Sequence, residues 1–444
     1  MLSKLFHSFV GLSFEFKEHT ITSCGVIPIL LAATFAISCY AWFIKKPTRS
    51  TPPLPPGPRA LPLVGNILSV EPNLHRYFAK LSQIYGPIFK FYLGRKLCIV
   101  IGSPSLAKQV LKEHDVVFAN RDPSAAASVL TYGGKSIGAS PEWPKLRQVL
   151  VRETMSNTSL NSSSAIRRQA VLRSMKDVSG RVGSPIKVGE LMFLTSLDVA
   201  TRMLWGASLR GEDWDTMAVQ FREVLEEMFQ VLGSGNISDL FPLLTRFDLQ
   251  GLESKAKKKP EVMRKARNEL EQVVAPDSVV EEFHLAKLPY LEAIVKETLR
   301  LHPPAPLLTS RRPSATSNLS GYTIPKGSTI FINAWAIQRN PEVWENPQDF
   351  QPDRFLEDVK IGDFRGNNFN YLPFGSGRRI CPGIPLAEKI VPHVLANLLH
   401  LFEWSLPEGT EFDLSDKLLM ALKKSEPLVV IPTPRSLSAL EHCN

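Results

Sequence analysis

The residues best equipped for chemistry lie in one short stretch, Phe374-Gly375-Ser376-Gly377-Arg378-Arg379-Ile380-Cys381-Pro382-Gly383. One thiol sits among glycines, with two arginines before it and an apolar, helix-forming run after it. Glycine adopts backbone conformations that other residues resist, so such a loop can wrap closely against a flat ligand. Amide N–H groups at a helix start, with cations nearby, favour a thiolate over a thiol. A thiolate is a nucleophile and a metal ligand, and on a haem iron it donates electron density that favours O–O cleavage. The bland alternative is a cysteine that merely packs, the commoner fate of a single thiol.

One further grouping carries paired charge. Glu297 and Arg300 stand three apart on one helix face and can pair, although such pairs are usually exposed and weak. The elements that position these residues follow from periodicity. Asn73 to Tyr85 reads as a helix (Leu74, Tyr77, Phe78, Leu81) stopped at Gly86-Pro87. Ile88 to Leu93 and Leu97 to Ile101 read as strands joined at Gly94-Arg95-Lys96, and Leu106 to His114 is helical again. Trp143 through Phe283 is mostly helical, notably Met217 to Leu232. Beyond Pro313 short strands and turns take over, with a strand at Ser328 to Asn333. A helix follows Cys381, its stripe being Ala387, Ile390, Val391, Val394, Leu395 and Leu398. The pattern is mainly α (α+β), helix-rich with small sheets and no internal repeat.

Composition bounds the rest. The chain has 444 residues, 44% hydrophobic and 21% charged, with formal net charge +9. This excludes a wholly disordered or fibrous protein. Cys24, Cys39, Cys98, Cys381 and Cys443 are too few and scattered for a disulfide framework, and no CxxC pair offers a zinc or iron–sulfur site. The positive balance suits an anionic membrane face or an acidic partner; the lysines lack interleaved aromatics, which disfavours nucleic acid. Gly25 to Ile44 is an uncharged run of bilayer-spanning length, ending in Tyr40, Trp42 and Phe43 and followed by Lys45, Lys46 and Arg49. That order predicts a single anchor with the C-terminal bulk on the cytosolic side; a cleaved signal or a core helix is the alternative. Residues 45–58 then form a stiff, Pro-rich hinge before one domain spanning 59–444.

The cysteine stretch fits Phe-x-x-Gly-x-Arg-x-Cys-x-Gly at every fixed position and so resembles the haem loop of cytochrome P450 proteins. Glu297-x-x-Arg300 and Pro352-Asp353-Arg354-Phe355 resemble two further elements of that family, with Asp353 where a glutamate is usual. The resemblance covers nearly the whole chain. It implies the cytochrome P450 fold and haem b with Cys381 as the iron's axial ligand. Trp143, Arg147, Arg379 and Arg311 would then be propionate partners, with Phe374 beside the haem. Glu297, Arg300 and Arg354 would form a buried structural triad, and Leu307, Leu308 and Thr309 would line the substrate side, though these three fit plain core equally. The implied activity is an NADPH-driven monooxygenase. It would take electrons from a reductase and insert oxygen from O2 into a small lipophilic substrate. The anchor and hinge resemble the plant microsomal branch, which places the protein on the endoplasmic reticulum membrane. Asn368 to Pro373 and Thr201 to Gly206 resemble plant terpenoid hydroxylases.

One expected element is missing. The family carries (Ala/Gly)-Gly-x-(Asp/Glu)-Thr on a long helix over the distal haem face, and this chain has no such sequence. Asp248 to Leu252 resembles text before that helix and Pro260 to Leu270 text after it. A block of several tens of residues is therefore expected to be deleted near 255–260. Burying each aliphatic or aromatic side chain is worth about 1.5–3 kcal/mol, and a domain's whole stability is only about 5–15 kcal/mol. The reading that follows is of a catalytic lineage whose member here is inactive, either haem-binding without turnover or unstable.

Overall fold

The computed structural model describes residues 33–34, 52–121, 123, 131, 133–206, 260–410, 415–418, 421–436 and 438. The anchor expected at 25–44 lies outside them except for residues 33–34, and so does the helix read at Met217 to Leu232. Among the described residues no helix is long and apolar enough to cross a membrane.

The chain enters along prolines that are fastened rather than free. The Pro53 carbonyl accepts the Thr323 N–H at 2.8 Å, and the Pro56 carbonyl accepts the Lys90 N–H at 2.7 Å. Thus the described part of the hinge is a strap on the domain. Helix α1 (Leu74–Tyr85) buries Leu74, Tyr77, Phe78 and Leu81, as its spacing requires, and ends where Gly86 takes φ +92°. Strands β1 (Ile88–Leu93) and β2 (Lys96–Ile101) pair antiparallel, Ile88 opposite Ile101. Beyond them the expected helix is split: α2 (Pro104–Lys108) widens at Gln109–Glu113, where the His114 N–H reaches the Gln109 carbonyl at 2.8 Å.

The middle of the described chain is helical: α3 (Trp143–Glu153), α4 (Ser164–Ser179), α5 (Val188–Trp205), α6 (Pro260–Val273) and α7 (Pro289–Leu301), with the two-residue strand β3 (Ile186–Lys187) ahead of α5. Short strands follow, β4 (Ser317–Leu319), β5 (Tyr322–Ile324) and β6 (Thr329–Ile332). β6 pairs parallel to β2, with Cys98 opposite Thr329, giving the sheet order β1-β2-β6. Helix α8 (Ile384–Leu401) runs from the cysteine loop, and β7 (Phe402–Ser405) joins β3 and a late strand, β10 (Val429–Pro434), in a second sheet. The hairpin of β8 (Asp416–Leu418) and β9 (Leu422–Lys424) comes between them in sequence. The small sheets and many helices match the expected class.

Strand alternation divides the core. Ile99 and Ile101 of β2 join Leu111, Phe118, Phe369 and Leu372, while Cys98 and Val100 join Tyr77, Phe78, Phe89 and Phe91 on the other face. Of the stripe on α8, Ile390, Val394 and Leu398 pack inward as expected, whereas Val391 is 37% exposed. The same helix buries His393, Asn397 and His400 instead, and these clamp the turn before α7: His393 Nε2 lies 2.8 Å from the Val280 carbonyl and His400 Nε2 3.2 Å from that of Ala275.

Burial lowers the pKa of His393 and His400, and that of His75 falls to about 3 through burial and the charges of Arg76 and Arg339. An unfolded histidine titrates near pH 6.5, so acid favours the unfolded chain, which binds the extra protons. Stability should be flat above pH 7 and fall below about pH 6.5, by about 1.4 kcal/mol per pH unit for His75 alone. Urea unfolding at pH 7 and pH 5 checks this. The H75Q variant should shed its share of the slope.

Candidate functional site

The cysteine loop is held from below by glycine geometry. Gly377 has φ +70°, and a Cβ there would stand 1.7 Å from the Leu111 carbonyl oxygen. Only glycine lets the loop lie against the widened turn after α2. The loop then closes on itself through the Cys381 N–H, which donates to the Phe374 carbonyl at 3.0 Å. Cys381 is a free, exposed thiol just ahead of α8. It lines a cavity of about 420 Å³ together with Phe374, Leu308, Thr309, Trp143, Arg147, Arg311 and Arg379.

Four guanidiniums converge on this cavity. Arg379, 9% exposed, lies 3.7 Å above the Trp143 ring and donates to the carbonyls of Ala119 at 2.9 Å and Ile137 at 3.0 Å. Arg147 donates to the Ile380 carbonyl at 2.5 Å, one residue from the thiol. Arg311 donates to the Ser376 carbonyl at 3.2 Å, and its Nη1 is buried with no partner. Arg121 donates to the Gly138 carbonyl at 3.2 Å and leaves Nε likewise unpaired. Burial and repulsion from neighbouring arginines push Arg379 down to about 9 and Arg311 to about 10 and lower Arg121, while burial alone lowers Arg147. Among the described residues the carboxylate felt here is that of Asp115, which Arg378 engages at 2.8 Å. The cavity is therefore prepared for an anion with more than one acidic group, seated beside an apolar wall and a thiol.

The triad expected from Glu297, Arg300 and Arg354 is assembled. Arg300 grips Glu297 bidentately at 2.7 and 2.8 Å with both side chains 0% exposed, and Arg354 Nε reaches Glu297 Oε1 at 3.4 Å. Arg300 also donates to the carbonyls of Gln338, Pro347 and Asp349. Asp353, at the family's glutamate position, turns outward to Lys265 at 2.8 Å and does not touch Glu297. A relay leads from here to the loop: Gln338 donates to the Leu299 and Arg300 carbonyls and accepts the Leu372 N–H at 2.8 Å.

Eight of the expected positions, Cys381, Phe374, Trp143, Arg147, Arg311, Arg379, Leu308 and Thr309, meet at the cavity. Leu307 does not. The chain turns here, the Leu308 N–H donating to the Ala305 carbonyl at 3.0 Å and Leu308 taking φ +49°, and Leu307 packs with Phe89 and Phe91 behind the sheet. Sequence reasoning missed Arg121 and Gln338. Neither falls in a spaced motif, and only the fold brings them in.

Chain comparisons agree with this geometry. The family model "Cytochrome P450" matches residues 55–259 and 257–432. The chain belongs to the cytochrome P450 family. Its members are oxygen-incorporating oxidoreductases that hold haem through a cysteine thiolate. The chain is 32% identical over 492 positions to ferruginol synthase of Isodon rubescens, with 91% of this chain and 98% of the relative covered. It is 33% identical over 497 positions to carnosic acid synthase of Salvia pomifera, covering 91% and 99%. A zebrafish cytochrome P450 solved with abiraterone superposes with TM-score 0.67 at 23% identity, over 82% of this chain and all of that one. In the first of these alignments, 91% of 444 residues is about 404, so about 88 of the 492 positions face no residue of this chain.

Replacing Gly377 by alanine forces the loop off the Leu111 carbonyl. We expect a loss of about 1–3 kcal/mol in urea unfolding, as overpacked sites show, and a lower haem content per chain by pyridine haemochrome assay. Breaking the triad is costlier, because Arg300→Ala strands a buried carboxylate. A loss of about 3–5 kcal/mol is expected, again read by urea unfolding.

Proposed function

We propose that this chain is a haem-thiolate protein of the plant terpenoid-oxidising monooxygenase lineage, with Cys381 as the axial ligand of iron. The observation that carries this reading is the thiol and four under-compensated guanidiniums around one cavity. The residues fit haem: the orphaned N–H groups of Arg311 and Arg121 are donors in want of carboxylates, and Phe374 and Leu308 offer an apolar wall. Thiolate-bound haem supplies electron density for O–O cleavage. The chain's own part is to bind and orient. Arg379, stacked on Trp143, and Arg147 neutralise the propionate edge, Arg311 and Arg121 complete it, and Leu308 and Thr309 face the substrate. A small lipophilic terpenoid is the substrate class, by likeness to the ferruginol and carnosic acid synthases. Electrons come from an NADPH-dependent reductase at the endoplasmic reticulum, where residues 25–44 anchor the chain.

A second reading, of haem binding without turnover, is favoured by specific observations. The family match falls into two segments that meet at 257–259, in line with a block lost near 255–260. The chain has no (Ala/Gly)-Gly-x-(Asp/Glu)-Thr sequence to pass protons to bound oxygen. Helix α3 buries only Trp143, while Leu146, Val149 and Val151 are 41%, 61% and 39% exposed. An apolar face this open on α3 supports the loss of something that packed there.

The two readings separate in one preparation. The full-length chain, reduced under carbon monoxide, should show the thiolate-type Soret band, and C381S should abolish it. NADPH and a plant reductase should then give oxygenated product from a panel of small terpenoids if the first reading holds. A full band with no product selects the second, and absence of haem overturns both.

A further inference from the structure

We infer that the buried nitrogen cluster of His75, Arg76, Trp335 and Arg339 binds one small monovalent anion of the halide class. The cluster lies where α1 meets the short helix Ala334–Ile337 and the turn after it. Among the described residues, twelve buried side-chain nitrogen and oxygen atoms lack a hydrogen-bond partner, and five of them belong to these four residues. They are both ring nitrogens of His75, Nε1 of Trp335 and Nε of each arginine. His75 itself is 0% exposed. Buried polar groups are nearly always satisfied, so a knot of unserved ones marks a place for an ion or for water.

The indole of Trp335 is the hub. The Arg339 guanidinium lies 4.1 Å from its ring centroid, the His75 ring 5.3 Å and the Arg76 guanidinium 5.9 Å. Backbone contacts fix the parts in place. Asn333 Nδ2 donates to the His75 carbonyl at 2.8 Å, and the Trp335 N–H donates to the Pro306 carbonyl at 3.0 Å. The groups therefore stand together because the fold holds α1 against the segment after β6. The Arg76 side chain is 25% exposed, which leaves the cluster open to a small ion from solvent.

Charge and the remaining donors choose the occupant. Arg339 feels the charges of Asp416 and Glu297, and both are already engaged. Asp416 pairs with Arg76 at 2.8 Å, and Glu297 with Arg300 and Arg354. Burial, with Arg300 and Arg76 nearby, pushes Arg339 down to about 9, so at neutral pH it still carries an unbalanced charge. One monovalent anion balances it, and a buried charge is costly until it is balanced. Shape favours a sphere. Arg339 already gives Nη1 to the Trp335 carbonyl and Nη2 to that of Leu301, leaving only Nε. A carboxylate or phosphate is held best by two parallel N–H groups of one guanidinium, a fork that Arg339 no longer offers. Single N–H groups on separate side chains suit a halide.

The test uses the full-length chain and sodium chloride, with sodium gluconate holding the ionic strength constant. The chloride NMR line should broaden saturably with protein present, and bromide should reverse this by competition. In urea unfolding, the folded-to-unfolded ratio should rise about tenfold once chloride reaches about ten times the dissociation constant so measured. Trp335→Phe keeps a ring and removes the N–H, and Arg339→Gln removes the charge; each should abolish both effects. The chloride dependence is the readout, not absolute stability, so packing lost in a variant does not mimic the result. Arg311→Ala, at the cysteine cavity, should keep them. Bromide soaked into crystals should give its anomalous peak against Trp335 Nε1, a readout that needs no variant. Broadening that Trp335→Phe and Arg339→Gln retain and Arg311→Ala loses puts the ion in the cysteine cavity and overturns the inference. A line that protein leaves unbroadened, or a bromide peak found only elsewhere, assigns these donors to water and overturns it too.

Discussion

Unbalanced positive charge inside the cysteine cavity is the constraint on which the site depends. Arg121, Arg147, Arg311 and Arg379 stand within reach of one another's fields, and each has its pKa lowered by burial and, for all but Arg147, by a neighbouring arginine. Backbone carbonyls satisfy part of their hydrogen-bonding capacity but supply no net charge. Buried charges without partners are costly, so a folded chain with this cluster gains strongly from an anionic ligand. Binding and stability are then linked: what fills the cavity also relieves the strain of keeping it positive. A sheet of core residues could not create that preference. It comes from placing four cations on four separate segments that the fold draws together.

The buried Glu297–Arg300 pair has the opposite character, since it is fully compensated. Glu297 receives both arms of Arg300, the Arg354 guanidinium and the Gln351 N–H, and Arg300 spends its remaining donors on three carbonyls. A pair so completely satisfied does little as an electrostatic actor and much as a fixed point. Gln338 carries that fixity to Leu372, two residues before Phe374. Tyr371 adds a second tie, its hydroxyl donating to the Lys296 carbonyl of α7 at 2.8 Å. The loop that presents the thiol is thus anchored at its start by the triad's helix and at its middle by the close approach of Gly377 to Leu111.

What the sequence disclosed follows a simple physical division. Local features were readable: the helix at Leu74, the strand at Ile88 and the helix after Cys381 are each set by periodicity and by glycine or proline stops. Motif residues were readable because their chemistry is tied to spacing, as with Glu297 and Arg300. Long-range convergence was hidden. Arg121 reaches the cavity because the Arg312 N–H bonds to the Asn120 carbonyl at 2.8 Å, an event nearly two hundred residues away in sequence. Leu307 and Leu308 looked alike as letters, yet the turn that puts Leu308 at φ +49° sends one to the aromatic core and the other to the cavity. The Pro-rich segment read as a stiff spacer, and nothing in its letters said that it would be bonded to the domain. Its carbonyls still accept, and they do.

The two ends of the site differ in completeness, and the difference separates binding from turnover. Everything described on the thiol side is present and mutually braced: loop, arginines, triad and relay. The sequence element that would handle protons on the opposite side is absent, and Leu146, Val149 and Val151 of α3 are exposed. Interactions that hold a ligand in its ground state do not by themselves accelerate a reaction, which needs groups that act in the transition state. A chain can therefore retain affinity for the cofactor while losing the chemistry. Exposed Leu146 and Val149 also carry a hydrophobic cost independent of catalysis, and the cavity's charge strain adds to it until an anion arrives. Cofactor capture should accordingly decide whether the chain persists at all, and the distal side should decide only what it can then do.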